Sequence, residues 1–442
     1  MIMSGEGATV GIVSLGCAKN LVNTEQMMYL LRQAGYTVTG ETDGTDVVVI
    51  NTCGFIESAK VEAIDTILEY GEARRDGRIG KLVVTGCLVQ RYKSEIMEEL
   101  PEIDAIVGVG SFEDIVSAVK AVCGGEEKIE FFGDIDAPIS ETKRILTTSS
   151  AWAYLKIAEG CDNKCSFCVI PHIRGKFRSR PMENIIEEAK ELVNMGVREL
   201  ILVAQDSTRY GLDLYNERRL PKLLTALGQI EDLKWIRLHY LYPDAISDDV
   251  IDVIAKNDKI LNYLDIPIQH ISDNILKMMN RKGTGADVKD MLHRIRRKIP
   301  NVVIRTSLIV GLPGEGEEEF EKLCDFVREE KIQRAGVFPY SPEEGTSAAL
   351  MEYPQSDIAM ERAEIIARIQ DRVIDEYNES RIGETTTVLI EGYDDGFYYG
   401  RSFAESPDVD GYISVVGDDL QINRFYDVEI TGIIDGELVG QA

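Results

Sequence analysis

Six of the eight cysteines fall into two triplets whose types and spacing could hold iron. The compact triplet is Cys161-x3-Cys165-x2-Cys168. Three thiolates on one loop fit three corners of a cubane. Zinc would need a fourth ligand, and no Cys or His supplies one at finger-like spacing; His172 is near but follows Pro171. A ferredoxin run would space its cysteines C-x2-C-x2-C and add a fourth. Three ligands on a [4Fe–4S] cluster leave one iron open to a substrate or cofactor, which points to catalysis over electron storage.

The second triplet is scattered: Cys17, Cys53 and Cys87. Each closes an apolar run, Gly11–Gly16, Val47–Thr52 or Leu82–Gly86, and the spacings of 36 and 34 residues are each close to one β–α repeat. Adjacent parallel strands would bring all three thiols to the carboxyl edge of a sheet, where open α/β sheets place ligands. Gly16, Gly54 and Gly86 let the backbone come close to a bulky group there. Again three thiols leave one iron open. Cys123 and Cys324 stand alone in apolar helical contexts and read as small core residues.

The elements that must position these residues alternate strand and helix, which predicts a parallel α/β fold. In residues 1–125 strands are expected at Val10–Ser14, Val47–Asn51, Leu82–Thr85 and Ala105–Val107. Helices are expected from about Leu21 to Gln33, Glu57 to Tyr70, Gln90 to Leu100 and Phe112 to Val122. Residues 126–150 read as a linker with room for one strand. Residues 151–378 hold six apolar runs, Ala153–Ile157, Leu200–Val203, Trp235–Leu238, Tyr263–Ile266, Val302–Val310 and Gly336–Pro339. Six strands are fewer than a closed eightfold barrel needs, so an open, partial (β/α)6 barrel is predicted, with a closing helix over Ala359–Asn378. Residues 379–442 change period to short alternating strands, Thr385–Ile390, Phe397–Phe403, Gly411–Val415 and Tyr426–Ile433, and predict a small all-β barrel.

Charge and composition narrow the partners. The 442 residues carry a net charge of −28, which opposes nucleic acid as the main partner. Residues 381–442 hold 13 Asp and Glu against three Arg and no Lys, a net charge of −10, and suit a basic partner; a merely solvated acidic surface is the alternative. The one basic stretch, His172 to Arg180, begins four residues past Cys168. A role balancing an anionic cluster is favoured there over contact with RNA. No run approaches the ~18 apolar residues of a membrane helix. Met1 to Thr9 lacks a basic segment followed by an apolar one, so a cytoplasmic protein is expected.

Cys-x3-Cys-x2-Cys after the first strand of a partial barrel resembles the radical S-adenosylmethionine enzymes. The resemblance implies that the open iron binds S-adenosylmethionine, which one electron then cleaves to methionine and a 5′-deoxyadenosyl radical. Ser14-Leu-Gly-Cys-Ala-Lys-Asn20, Asn51-Thr-Cys-Gly-Phe55 and Val84-Thr-Gly-Cys87 resemble the N-terminal domain of the methylthiotransferases. With the later triplet and the terminal β module, which corresponds to that family's TRAM domain, the resemblance covers essentially the whole chain.

Within that family one branch modifies a tRNA adenosine, and the RimO type modifies an aspartate of small-subunit ribosomal protein S-twelve. Ser14-Leu-Gly-Cys-Ala-Lys-Asn-Leu-Val22, Ala204-Gln-Asp-Ser-Thr-Arg-Tyr-Gly211 and Tyr263-Leu-Asp-Ile-Pro-Ile-Gln-His270 resemble the second branch, and the acidic terminal module agrees with it.

The resemblance then implies two [4Fe–4S] clusters, one on Cys17, Cys53 and Cys87 and one on Cys161, Cys165 and Cys168. It also implies an electron donor such as flavodoxin or ferredoxin. The first cluster carries a sulfur that one S-adenosylmethionine methylates, and the radical removes a hydrogen from the aspartate β-carbon. Phe167, Gln205 and Gly311 are candidate contacts for S-adenosylmethionine; a packed aromatic and an ordinary turn are the alternatives for Phe167 and Gly311. Asp265 and Gln269 sit at a strand end without an assigned role. An iron–sulfur electron carrier and a zinc-binding structural protein are the readings from other classes.

Overall fold

The computed structural model describes residues 7–442; the start of the Met1–Thr9 segment lies outside them. The first unit is a six-stranded, wholly parallel sheet in the order β2-β1-β3-β4-β5-β6. Its strands are β1 (Thr9–Ser14), β2 (Thr37–Thr39), β3 (Val47–Thr52), β4 (Lys81–Gly86), β5 (Ala105–Val107) and β6 (Ile129–Phe131). Every residue of β3 is buried, as a β-branched strand covered on both faces requires. Helix α1 (Ala18–Gln33) follows β1, α2 (Glu57–Arg75) follows β3, and the short α3 (Cys87–Tyr92) and α4 (Glu95–Glu99) follow β4.

Two expectations are corrected here. The helix over Gln90–Leu100 is two helices, because Lys93 turns into a left-handed conformation at φ +48°. The helix over Phe112–Val122 begins as a 3₁₀ turn, Val109–Asp114, before α5 (Ile115–Cys123). The linker does contain one strand, β6, which pairs with β5.

The second unit is a six-stranded parallel sheet in sequential order: β7 (Trp152–Lys156), β8 (Glu199–Val203), β9 (Trp235–Leu238), β10 (Ile260–Asp265), β11 (Val303–Val310) and β12 (Arg334–Pro339). β7 and β12 do not pair, so the barrel is open. Alternate residues divide its two faces. Ala153, Leu155, Leu200 and Leu202 join the core under the outer helices, whereas Trp152, Tyr154, Ile201 and Val203 pack with Val22 of α1. The first unit therefore reaches into the barrel with its first helix. Between β7 and the next helix lies α6 (Ile170–Arg174), and after it α7 (Met182–Asn194). The long α8 (Ser356–Ser380) packs on β11 and β12.

The third unit is a closed five-stranded barrel of β13 (Thr385–Asp394), β14 (Phe397–Arg401), β15 (Ile413–Val416), β16 (Phe425–Ile434) and β17 (Glu437–Gln441). The sequence reading missed β17, a five-residue run that pairs parallel with β15 and antiparallel with β16. The connection from β14 to β15 docks on the inner face of the partial barrel. Asp408 accepts from Tyr154 Oη at 2.9 Å, Asp410 from Tyr263 Oη at 2.5 Å, and Ser406 Oγ lies 2.9 Å from His239 Nε2. Buried ion pairs fasten the same interface. Glu199 meets Arg237 at 2.7 Å and Arg401 at 2.8 Å, and Glu405 meets Arg381 at 2.5 Å and Arg334 at 3.1 Å. Among the described residues no helix is long and apolar enough to cross a membrane.

Candidate functional site

The register of the first sheet sets the scattered cysteines side by side. Ser14 pairs with Asn51 and Thr52 with Gly86, so the residues just past these strands share one edge. Cys17 caps α1, Cys53 follows β3, and Cys87 opens α3. The glycines keep this edge close-packed. A Cβ on Gly16 would stand 2.8 Å from Cys53 Cβ, and one on Gly54 would stand 2.7 Å from the Leu88 backbone. Asn20 ties the turn together by donating to the Leu15 carbonyl at 3.1 Å and the Thr52 carbonyl at 2.8 Å.

The compact triplet lies past the first barrel strand on a loop pinned by its own backbone. Cys168 N–H donates to the Cys165 carbonyl at 3.1 Å and Cys161 N–H to the Gly175 carbonyl at 3.1 Å. Tyr242 Oη lies 3.7 Å from Cys165 Sγ, and Arg281 Nη1 donates to it at 3.9 Å while its guanidinium rests over the Tyr242 ring.

The two sites adjoin. Val169, the residue after Cys168, and Ile173 pack against Cys87 together with Phe55 and Val109. From the end of α6 the buried Arg174 crosses the gap. Nη2 donates to Cys87 Sγ at 3.2 Å and to Asn20 Oδ1, and Nη1 donates to Asn23 Oδ1 and Glu159 Oε2, each at 3.2 Å. Glu159 is filled by Lys156 at 3.1 Å and by Gln205 Nε2 at 2.7 Å. A chain of buried polar contacts thus runs from the first-sheet edge to the first two barrel strands.

This surround divides the thiols. Burial alone would push Cys17 up, but the Lys19 and Arg174 charges outweigh it and hold the thiol below its ordinary value. Burial, then the adjacent Cys87, push Cys53 up to about 11, and burial keeps Cys87 raised despite Arg174. In the compact triplet burial pushes Cys161 up to about 11 and Cys168 well above its ordinary value. Burial would also raise Glu159, but Arg174 and Lys156 hold it well below the usual carboxylate range. For Lys19 burial opposes the charge; Tyr240, Cys17 and Glu159 favour it and prevail.

The donor set suits iron–sulfur clusters. Each triplet offers three thiols at strand ends, and the scattered one has glycines pressed against its walls. Among the described residues no three His, Cys, Asp or Glu side chains converge closely enough for a lone metal ion; a cubane sets its thiolates farther apart.

The other candidate residues are distributed as follows. Phe167 packs with Ile275, Met279, Leu312, Tyr340 and Ile309 beside the compact loop. Gln205, two residues past β8, has its amide nitrogen on Glu159 and its buried amide oxygen without a partner. Gly311, at φ +77°, is pressed against α8: a Cβ there would lie 2.4 Å from that of Ala359. That packing accounts for the glycine without a ligand. Asp265 accepts from Tyr240 N–H at 3.1 Å and pairs with Arg305 at 2.9 Å. Of the basic stretch, only Arg174 reaches the first cysteine site. Arg180 pairs with Glu141 and Glu188, and Lys176 is exposed.

Sequence reasoning missed the Arg174–Glu159–Lys156 bridge, Lys19 on Tyr240, and a clasp on Glu343. Buried Glu343 accepts Arg91 at 2.7 Å and Lys60 at 3.3 Å, and the same loop donates Ala348 N–H to Ser166 in the compact loop. The adjacency of Cys17 and Lys19 was a signal for the second of these; the others depend on contacts between units.

Comparison with known proteins agrees with this anatomy. Residues 9–108 match Uncharacterized protein family UPF0004, residues 155–327 the Radical SAM superfamily, and residues 382–442 the TRAM domain. The chain is 48% identical over 436 residues to the ribosomal protein uS12 methylthiotransferase RimO of Caldanaerobacter subterraneus subsp. tengcongensis, covering 98% of this chain and 99% of that one. It is 45% identical, with the same coverage, to that of Thermoanaerobacter sp. (strain X514). Among solved structures, the radical S-adenosylmethionine methyltransferase TsrM from Kitasatospora setae, with cobalamin and a [4Fe-4S] cluster bound, shares the fold. Its TM-score is 0.57 at 13% identity, over 92% of this chain and 82% of that one. A parallel sheet bearing three edge thiols, an open barrel bearing three more and a terminal β barrel, all matched over nearly full length, place the chain in the RimO family of ribosomal protein methylthiotransferases within the radical SAM superfamily.

Proposed function

We propose that the chain transfers a methylthio group to the β-carbon of an aspartate in ribosomal protein uS12, with S-adenosylmethionine as methyl donor and radical source. The observation that carries this reading is the adjacency of two three-thiol sites, joined by Arg174 on Cys87 at 3.2 Å and by the apolar contact of Val169 with Cys87. A reaction that needs both radical generation and sulfur delivery needs the two centres side by side.

In this reading Cys161, Cys165 and Cys168 would hold a [4Fe–4S] cluster, which with a flavodoxin- or ferredoxin-like electron donor would supply the reductive chemistry for S-adenosylmethionine. Cys17, Cys53 and Cys87 hold the second cluster. Phe167 and Gln205 line the approach to the compact loop, and Gly311 acts indirectly, by seating α8 against β11. Arg174 holds the edge of the first sheet at a fixed distance from the barrel. α1 and the β14–β15 connection shield the barrel interior from water, which protects reactive species from side reactions. The acidic C-terminal barrel favours a basic ribosomal protein over tRNA, and such a substrate puts the enzyme in the cytoplasm.

The test is a reduced, anaerobic reaction with S-adenosylmethionine, offering uS12 and tRNA side by side. The expected outcome is a methylthio mass gain on one aspartate of uS12; modification of tRNA alone would overturn the assignment.

A further inference from the structure

The chain between the last barrel strand and α8 stands apart in charge and in exposure. From Phe338 to Glu361 it carries five acidic residues and no Lys, Arg or His. Glu343 is neutralised by Arg91 and Lys60. Glu344 and Glu352 are exposed, and among the described residues neither has an ion-pair partner. Leu350 ends the 3₁₀ turn Ala348–Leu350 and is 90% exposed, whereas no other large apolar side chain among the described residues exceeds 61%. Tyr353 and Phe338 are exposed as well. Single apolar residues on a surface are ordinary, but these three gather around one aromatic pair. Tyr353 packs edge-on against Tyr340 with ring centroids 5.3 Å apart. Phe338 stands two residues before Tyr340, and Leu350 three before Tyr353.

The loop that presents them is held from both units. Buried Glu343 accepts Arg91 at 2.7 Å, Lys60 at 3.3 Å and Ser341 Oγ at 2.6 Å. Arg91 also donates to the Glu344 carbonyl at 3.2 Å, and Thr346 Oγ1 to the Glu343 carbonyl at 2.6 Å. Ala348 is fully buried, and its N–H donates at 2.9 Å to the carbonyl of Ser166 in the compact cysteine loop. Tyr340 and Ala348 share an apolar cluster with Phe167 of that loop. A fixed backbone that holds a leucine out into solvent is an ordered contact surface, so a partner covering it loses little ordering entropy. An apolar centre beside carboxylates without counter-ions fits a basic polypeptide and repels a phosphate backbone.

We propose that Leu350, Tyr353 and Phe338, flanked by Glu344 and Glu352, form the docking surface for the basic stretch of uS12 that carries the target aspartate. This rests on the uS12 reading above. It adds a grip on the substrate beside the compact cysteine loop and separate from the C-terminal barrel. Leu350 is the apolar anchor, and the two carboxylates receive Lys or Arg side chains of the partner.

The test measures binding of fluorescently labelled uS12 to the reconstituted full-length enzyme, with S-adenosylmethionine and without reductant. Wild type is compared with Leu350→Gln, with a double variant carrying Glu344→Lys and Glu352→Lys, and with Met195→Gln. Met195 is also exposed but lies between α7 and β8, at the opposite end of the barrel strands. Iron content, thermal melting and sedimentation are read alongside. Leu350→Gln should weaken binding roughly tenfold, as loss of an interface anchor does. The double variant should weaken it roughly tenfold at low salt, and the deficit should shrink as salt rises. Met195→Gln should bind as wild type does.

Wild-type affinity in either Leu350→Gln or the double variant would overturn the proposal. So would a change confined to sedimentation, which would make the surface a contact between copies of this chain, or tRNA that competes for binding in wild type and not in Leu350→Gln. If wild-type enzyme neither binds nor modifies uS12, the functional reading itself fails. If wild type modifies uS12 while the variants bind it equally well, only the docking surface fails.

Discussion

Cys161, Cys165 and Cys168 lie within eight residues of one loop, whereas Cys17, Cys53 and Cys87 come from the ends of three strands. The loop triplet is set by local chain geometry. Burial is the largest influence on its Cys161 and Cys168 thiols, Asn163 hydrogen-bonds Cys161, and Tyr242 and Arg281 touch Cys165. The sheet triplet depends on strand register and is bordered by Lys19 and Arg174, which hold Cys17 below its ordinary value. A local motif can be carried by a single loop; a dispersed one needs a whole domain and a cation from its neighbour. The division of labour follows: the self-contained loop suits radical generation, and the site built across a domain boundary suits handling of a second sulfur-bearing group.

That contrast can be broken in graded steps. The largest effect is expected of Cys165→Ala, which should abolish deoxyadenosine release in a reduced S-adenosylmethionine assay; persistent release would mean that the radical arises elsewhere.

Arg174→Ala should come next. It strips the buried Glu159, Asn20 and Cys87 of one shared partner, and chemical denaturation should show a loss of about 3–5 kcal/mol. Arg174→Lys should rescue little, because an ammonium cannot reproduce the forked contacts. Arg281→Ala, whose firm partner is one carbonyl, should cost only about 1–3 kcal/mol.

The docking of the C-terminal barrel supplies a control remote from both triplets. Glu405 is buried, which raises its pKa, yet Arg381 and Arg334 bring it down to about 2 from an ordinary 4.5. A depressed carboxylate stabilises the fold above its unfolded value and loses that contribution as pH falls through its folded one. Stability should therefore drop between about pH 4.5 and 2, and Glu405→Gln should flatten that drop while lowering neutral stability. Acid titration of the melting temperature checks this. The smallest effect is expected of Lys60→Met. Glu343 retains Arg91 at 2.7 Å, so the loss should stay under about 1 kcal/mol.

Both triplets were legible in the sequence, for different reasons. The loop spacing is itself the signal. The scattered cysteines showed only because each closes an apolar strand, and parallel pairing then forces them to one edge. What could not be read is everything that crosses between units. Arg174 belongs to a basic stretch whose members look alike in sequence, yet only it points at Cys87, while Arg180 turns to Glu141 and Glu188. The break at Lys93 carries no Gly or Pro to announce it. β17 was lost because its partners, β15 and β16, are fixed by barrel closure rather than by its own short pattern. The close approach of Gly311 to Ala359 is likewise a contact between elements that its turn sequence does not announce.

The claim beneath all of this is that each triplet holds its own cluster. Iron and sulfide should be counted after anaerobic reconstitution of wild type and of two variants, one with Cys17, Cys53 and Cys87 replaced by Ala and one with Cys161, Cys165 and Cys168 replaced. The account predicts about eight irons per wild-type chain and about four in each variant, all in cubane form by Mössbauer spectroscopy. Tightly bound zinc in place of iron, or a wild-type count of about four that only one variant abolishes, would contradict it.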